Sequence, residues 1–248
     1  AMGISSNREF MNIGFIGVAL VAMSLILLGV FPAKAPQLPE GFFTPIIAFE
    51  FIQTPAEVYL LFGHQGTAQR QMMVHTMDLG NRLDFIYMVL YSGFLAAFCL
   101  KVSQQTQHRL YIAGAVIAAV VLLGDFLENL QLLGITANLG TGDFLGELER
   151  LRLFTWQKWG GLCLVFAVLV PYFIKGRLFS KIIAAWAALT VITGITAFWN
   201  RSIINEVFSL FTAVMFVLMI TYCFVHKRSW TQASGSTRQC VCFRQDRQ

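Results

Sequence analysis

Charge is scarce in this 248-residue chain: Asp, Glu, Lys and Arg make up 12% of it, against roughly 25% in a soluble domain. That scarcity excludes an ordinary water-facing globule. Cysteine is scarce too, with 5 residues, too few for a disulfide-stapled secreted scaffold. The signatures of common chemistries are missing: no GxxxxGK[ST] or GxGxxG loop, no HExxH and no GxSxG. Basic residues are dispersed rather than gathered on a patch, so nothing points to nucleic acid. What the chain has instead is 56% hydrophobic residues, 23 Phe and a mean hydropathy of +0.65. These exclude disorder and specify a polytopic membrane protein.

A bilayer core needs about 20 mostly apolar residues per helix. Six stretches satisfy this: Phe10 to Phe31, Leu83 to Leu100, Leu110 to Ile135, Phe154 to Ile174, Leu178 to Trp199 and Ile203 to Val225. The fold class expected is therefore all-α, a transmembrane bundle of six spans. The first stretch exceeds the usual apolar region of about 7 to 15 residues in a signal peptide and is read as a retained span. Ala1-Met2-Gly3 is set aside as an expression scar. With the N-terminus inside, eleven of the eighteen Lys and Arg residues fall on the inner face, which favours both termini inside. The five cysteines then avoid the outer face. One six-helix domain, 1–228, and a mobile cytoplasmic tail, 229–248, follow, in an inner or plasma membrane.

Pro32 to Arg82 is the longest connection and should carry structure. Within it, Thr44 to Phe62 is apolar but broken by Glu50, Pro55 and Glu57. Two short amphipathic helices are expected there, lying on the outer surface or re-entering slightly, as a lid or a simple cover. Thr54-Pro55-Ala56-Glu57 carries a capping Thr, a Pro at the first helical position and a Glu at the third. Between spans three and four, a Gly-rich turn precedes a short charged helix, Glu147 to Arg152.

Charged residues inside spans are expensive and point to sites. Asp125 falls about 22 Å into a core of about 30 Å, counted from Leu110 at 1.5 Å per residue. Asp125, Glu128 and Asn129 share one helical face, which continues inward through Val121, Ala118 and Gly114. Asp84, Tyr87 and Tyr91 form a second polar stripe on span two. Lys158 enters span four between Trp156 and Trp159, and Arg201 and Glu206 flank the turn into span six. The inner halves of the spans are nearly pure Leu, Val, Ile, Phe and Ala. A polar, acidic, outward-facing cavity above an apolar plug is expected rather than a pore, which needs polar lining throughout. The candidate ligand-binding residues are Asp84, Tyr87, Tyr91, Asp125, Glu128, Asn129, Trp156, Lys158, Arg201 and Glu206.

Leu83-Asp84-Phe85 with Tyr91, then Asp125-Phe126-Leu127-Glu128-Asn129 followed by Lys158, resembles a pattern in uncharacterised prokaryotic multi-span membrane proteins. It covers spans two to four and implies a common core with no activity attached. The chain lacks the His ligands of zinc-dependent seven-span hydrolases, the DGxxAR signature of CDP-alcohol phosphotransferases and the seventh-span Lys of rhodopsins.

Three uses of the polar residues stay open at this point. They bind, sense or transport a small cationic or amphipathic ligand, with protonation of Asp125 or Glu128 as a linked step. As paired carboxylates they act as acid and base on a lipid or small polar substrate. Or they form a structural ion-pair network in which Asp125 or Asp84 meets Lys158 or Arg201. Membrane lipids are expected partners, a second copy of the chain is an allowed one, and no metal or cofactor is named. His64 and His75 are read as solvated, since His75 with Asp78 three residues on does not make a metal site, and Cys240-Val241-Cys242, open to acylation or metal binding by type, is a weak signal without a partner cluster.

Overall fold

In lipid the backbone must satisfy its own polar groups, so each apolar run becomes one long helix. The computed structural model describes residues 2–225, and the expected tail with Cys240 and Cys242 lies outside them. Among the described residues there are eight helices and no strand: α1 (Met2–Val30), α2 (Pro45–Glu50), α3 (Pro55–Phe62), α4 (Ala68–Thr106), α5 (Leu110–Ala137), α6 (Leu145–Ile174), α7 (Leu178–Trp199) and α8 (Ile203–Val225). All but α2 and α3 are long and apolar enough to cross a membrane, giving six candidate spans. Large apolar side chains such as Phe15, Leu28, Ile86, Val116, Leu164 and Leu210 point outward, where only lipid suits them. The chain is a multi-pass integral membrane protein.

The six long helices close into a ring in chain order: α1 packs on α4, α4 on α5, α5 on α6, α6 on α7, α7 on α8, and α8 returns to α1. Contact is most extensive between α5 and α6 and slightest at the closing seam of α1 and α8. Small residues set the close approaches. Gly161 of α6 lies directly on the Val121 side chain of α5, and a Cβ at Gly114 would sit 2.9 Å from Cys99 Sγ. Gly114, Ala118 and Val121 are all buried, as the α5 stripe requires. At the seam, Gly14 and Gly17 admit Phe224 and Ile220.

The connection after α1 is shorter than Pro32 to Arg82. Thr67 caps α4, accepting from Arg70 N at 3.2 Å, and the helix then runs 39 residues, about 58 Å at 1.5 Å per residue. Hydropathy registers only the part of a helix that suits lipid, and the polar turns before Leu83 project beyond it. The charged segment Glu147 to Arg152 is likewise the start of α6 and not a separate helix.

Residues 31–67 fold over one end of the ring. Thr54 and Glu57 form the expected capping box at α3. α2 is no surface helix: Ala48 and Phe49 are fully buried, and it sits in the mouth of the ring against α5, α6 and α8. Two clamps hold this plug. Glu206 accepts from Phe43 N, Thr44 N and Thr44 Oγ1 at 2.8–2.9 Å, and Arg201 pairs with Glu57 at 2.7 Å. Gly41, at φ 83°, passes 3.0 Å from the Ile203 nitrogen at its Cβ direction, which leaves no room for a side chain.

The opposite end is less purely apolar than the sequence implies. Tyr172 and Tyr222 share a hydrogen bond of 3.0 Å, Tyr172 also donates to Gln105 Oε1 at 3.2 Å, and Lys101 is buried against Glu9. Phe98 and Phe173 wall this cluster. Tyrosine hydroxyls buried among rings find one another because each would otherwise lie unpaired.

Because Val121 is stiff and β-branched, Gly161→Leu should overpack the α5–α6 contact and destabilise by about 1–3 kcal/mol. A lowered melting temperature in detergent, with helix content retained before melting, is the expected reading.

Candidate functional site

Leu151, Thr155, Lys158, Leu162 and Val165 recur every three or four residues and are all buried, so one face of α6 looks into the ring and carries Lys158 with it. The same spacing turns Asp125, Glu128 and Asn129 of α5 inward. From above, α2 lowers Glu50 into the same space. Lys158 Nζ lies 3.1 Å from Glu50 Oε1 and 3.3 Å from Asp125 Oδ1, and it also contacts Glu128 Oε2. An ammonium has three hydrogens to give, and here three carboxylates from two other helices surround it. The Trp159 ring adds a cation–π contact at 5.3 Å.

Three further carboxylate oxygens are held individually. Tyr91 donates to Asp125 Oδ2 at 2.6 Å, Trp159 Nε1 to Glu50 Oε2 at 2.9 Å, and Asn129 Nδ2 to Asp84 Oδ2 at 2.7 Å. Thr155 fixes the α2 end by donating to the Glu50 carbonyl at 3.0 Å. Glu128 Oε1, fully buried, has no hydrogen-bond donor. Burial pushes the Glu50 carboxyl above its ordinary range, and the nearby Lys158 charge opposes that rise. Four acids, Glu50, Asp84, Asp125 and Glu128, are thus gathered around one ammonium. With all four ionised, three negative charges would lack a partner.

A cavity of about 480 Å³ opens beside this cluster. Glu50, Asp84, Tyr87, Tyr91, Asp125, Lys158 and Trp159 form its polar wall, and α1, α2 and α8 supply a mostly apolar remainder. Its size falls within the roughly 300–1,000 Å³ of small-molecule sites. Thr212, a residue 5% exposed, lines it with a buried hydroxyl that has no hydrogen-bond partner. Among the described residues no three His, Cys, Asp or Glu side chains are arranged to hold a metal ion.

Of the ten residues singled out in the sequence, seven come together: Asp84, Tyr87, Tyr91, Asp125, Glu128, Asn129 and Lys158. Three stand elsewhere. Trp156 packs edge-on against Phe51 and Phe198, Arg201 clamps Glu57 and lies 5.0 Å over the Phe42 ring, and Glu206 caps the lid. Glu50, Trp159 and Thr212 join the candidate site without being among those ten. Glu50 had a signal, as a lone acid between Phe49 and Phe51 in an apolar run. Trp159 lies one residue beyond Lys158, and only the helix phase distinguishes its inward ring from that of Trp156. His64 and His75 are exposed and apart from the cluster, and His108 accepts from Leu110 N at the start of α5.

No protein family, curated protein or solved structure matches the chain.

Lys158→Met leaves three buried carboxylates without their cation and should destabilise by about 3–5 kcal/mol. Without Lys158, the charge that chiefly opposes the raised Glu50 carboxyl is gone and only the Trp159 hydrogen bond still favours its ionised form, so the folded protein binds a proton there more readily than the unfolded chain does. The variant's deficit relative to the parent should therefore shrink as pH falls. Thermal melts of both proteins across the neutral to mildly acidic range test this, and a deficit that widens at low pH contradicts it.

Proposed function

We propose that this membrane protein binds a small cationic or amphipathic ligand in the acidic cavity beneath α2. The observation that carries this is the charge balance: four carboxylates gathered about one lysine, beside a cavity of ligand size. Buried charge of one sign is not left bare, so protons or a cation must answer it. A cationic head entering beside Asp84 and Asp125 replaces those protons, and the apolar walls take the rest of the molecule.

The structural use of the network accounts for less. A buried ion pair is weak evidence for stability, since apolar residues of similar volume often serve as well or better. A set needed only for packing would also match charges, and this set does not. The empty-handed Thr212 hydroxyl in the cavity wall is a second polar group with no role in packing. Transport would further require α2 to leave its seat, and its clamps at Glu206 and Glu57 are the contacts that would open. In this reading both termini are cytoplasmic, α2 and α3 cover the outer end, and the host is an inner or plasma membrane.

Butylamine should raise the melting temperature of the purified protein in a concentration-dependent manner. Asp125→Asn should abolish the rise, while butanol, of similar size and without charge, should have no effect in either protein. Equal stabilisation by butanol would contradict an acidic recognition site.

A further inference from the structure

The cavity has an unequal wall. In a ring ordered α1, α4, α5, α6, α7, α8, the seam between α8 and α1 lies across from the α5–α6 wall that carries Asp125, Glu128 and Lys158. That seam is also the slightest helix contact in the ring. It is sealed toward the chain termini, where Phe224 packs on Gly14 and Ile220 on Gly17. Toward the plug, both helices line the cavity instead: Leu27 and Leu28 from α1, with Phe31 just past its end, and Thr212, Ala213 and Phe216 from α8. Leu28 is 78% exposed and Ala213 is exposed too, so these wall residues also face the surroundings of the ring. At mid-span those surroundings are lipid.

The geometry points to a lateral seat: the ligand is a single-chain cationic amphiphile, an alkyl amine in chemical class, whose head meets the acids and whose chain lies in the seam between α1 and α8. This rests on the acidic-cavity reading and adds the route and the substrate class. The polarity gradient supports it. Carboxylates stand at the α5–α6 wall, and at the seam the lining is aliphatic and aromatic apart from the Ser24, Ser209 and Thr212 hydroxyls, so polarity falls across the cavity as it does along an amphiphile. Plug and seam also divide the work. α2 is seated by Glu206 and by the Arg201–Glu57 pair at the aqueous end, whereas no hydrogen bond or ion pair is recorded among the described residues between the cavity-lining parts of α1 and α8. A lipid-dissolved molecule passes a mostly apolar wall on its way in, interrupted by the hydroxyls of Ser24, Ser209 and Thr212. Its chain leaves one apolar medium for another, so selectivity falls to the head group.

The test uses the described protein in lipid nanodiscs with two probes sharing one head, butylamine and dodecylamine, read by the shift in melting temperature. Both should stabilise the parent, and neither should stabilise Asp125→Asn, which separates site binding from partition into the bilayer. Ala213→Trp fills the seam from α8 and Leu28→Trp from α1. In each, dodecylamine should need a concentration higher by about tenfold or more, while butylamine still stabilises. Two independent variants guard against one that folds badly. If both keep the full dodecylamine response, the lateral seat is overturned and the acidic site stands. If neither amine stabilises the parent, the acidic-site reading fails and the seat fails with it.

Discussion

The structure is organised by one ammonium group. Lys158 joins α6 to Glu50 on α2 and to Asp125 and Glu128 on α5, so it fixes the register of two spans and the depth of the plug together. Tyr91 reaches the same cluster from α4 through Asp125. Without this convergence nothing would draw a short helix ending in an acid into the mouth of an apolar ring. The cost of burying Lys158 is met by three carboxylates, and burying so many carboxylates then creates a surplus of negative charge. That surplus is what the proposed ligand site rests on.

Much of this was legible from residue spacing. Alternation at three and four residues placed Asp125, Glu128 and Asn129 on one face, and that face is buried. The six apolar runs became six helices, with α7 ending and α8 starting where Asn200, Arg201 and Ser202 interrupt the apolar sequence. The capping box at Thr54 formed because its signal is local: the residues that make it lie within one turn. Limits appeared where position depends on tertiary contact. A helix has no need to stop at the membrane surface, so hydropathy found Leu83 and missed the start of α4 at Ala68. Glu50 and Glu206 are both acids near apolar sequence, yet one enters the cavity and the other caps the lid. Only the path of the chain over the ring separates them. Arg201 was placed beside the cluster by depth alone, and Glu57 on the lid takes it instead.

Ring order gives the remaining logic. Helices added in sequence pack on their predecessors, and the last interface to close is the one between the chain's first and last spans. It is made by residues far apart in sequence and, at its lid half, by a cavity rather than by packing. The firmest interface, α5 with α6, carries the charges, and firm walls suit groups whose positions must hold. The slightest interface faces them across the cavity and is mostly apolar. In the proposed lateral seat, rigidity and access therefore lie on opposite sides of one space, and the plug of α2, pinned by Glu206, closes its end.

The central claim is that the acid cluster holds a negative surplus answered by protons when no cation is bound. Proton release on binding measures it directly, using tetramethylammonium, which carries no proton of its own, in weakly buffered detergent near neutral pH. The account predicts uptake of the cation with release of about one proton for each bound cation, and loss of both in Asp125→Asn. Binding with no proton released would contradict it.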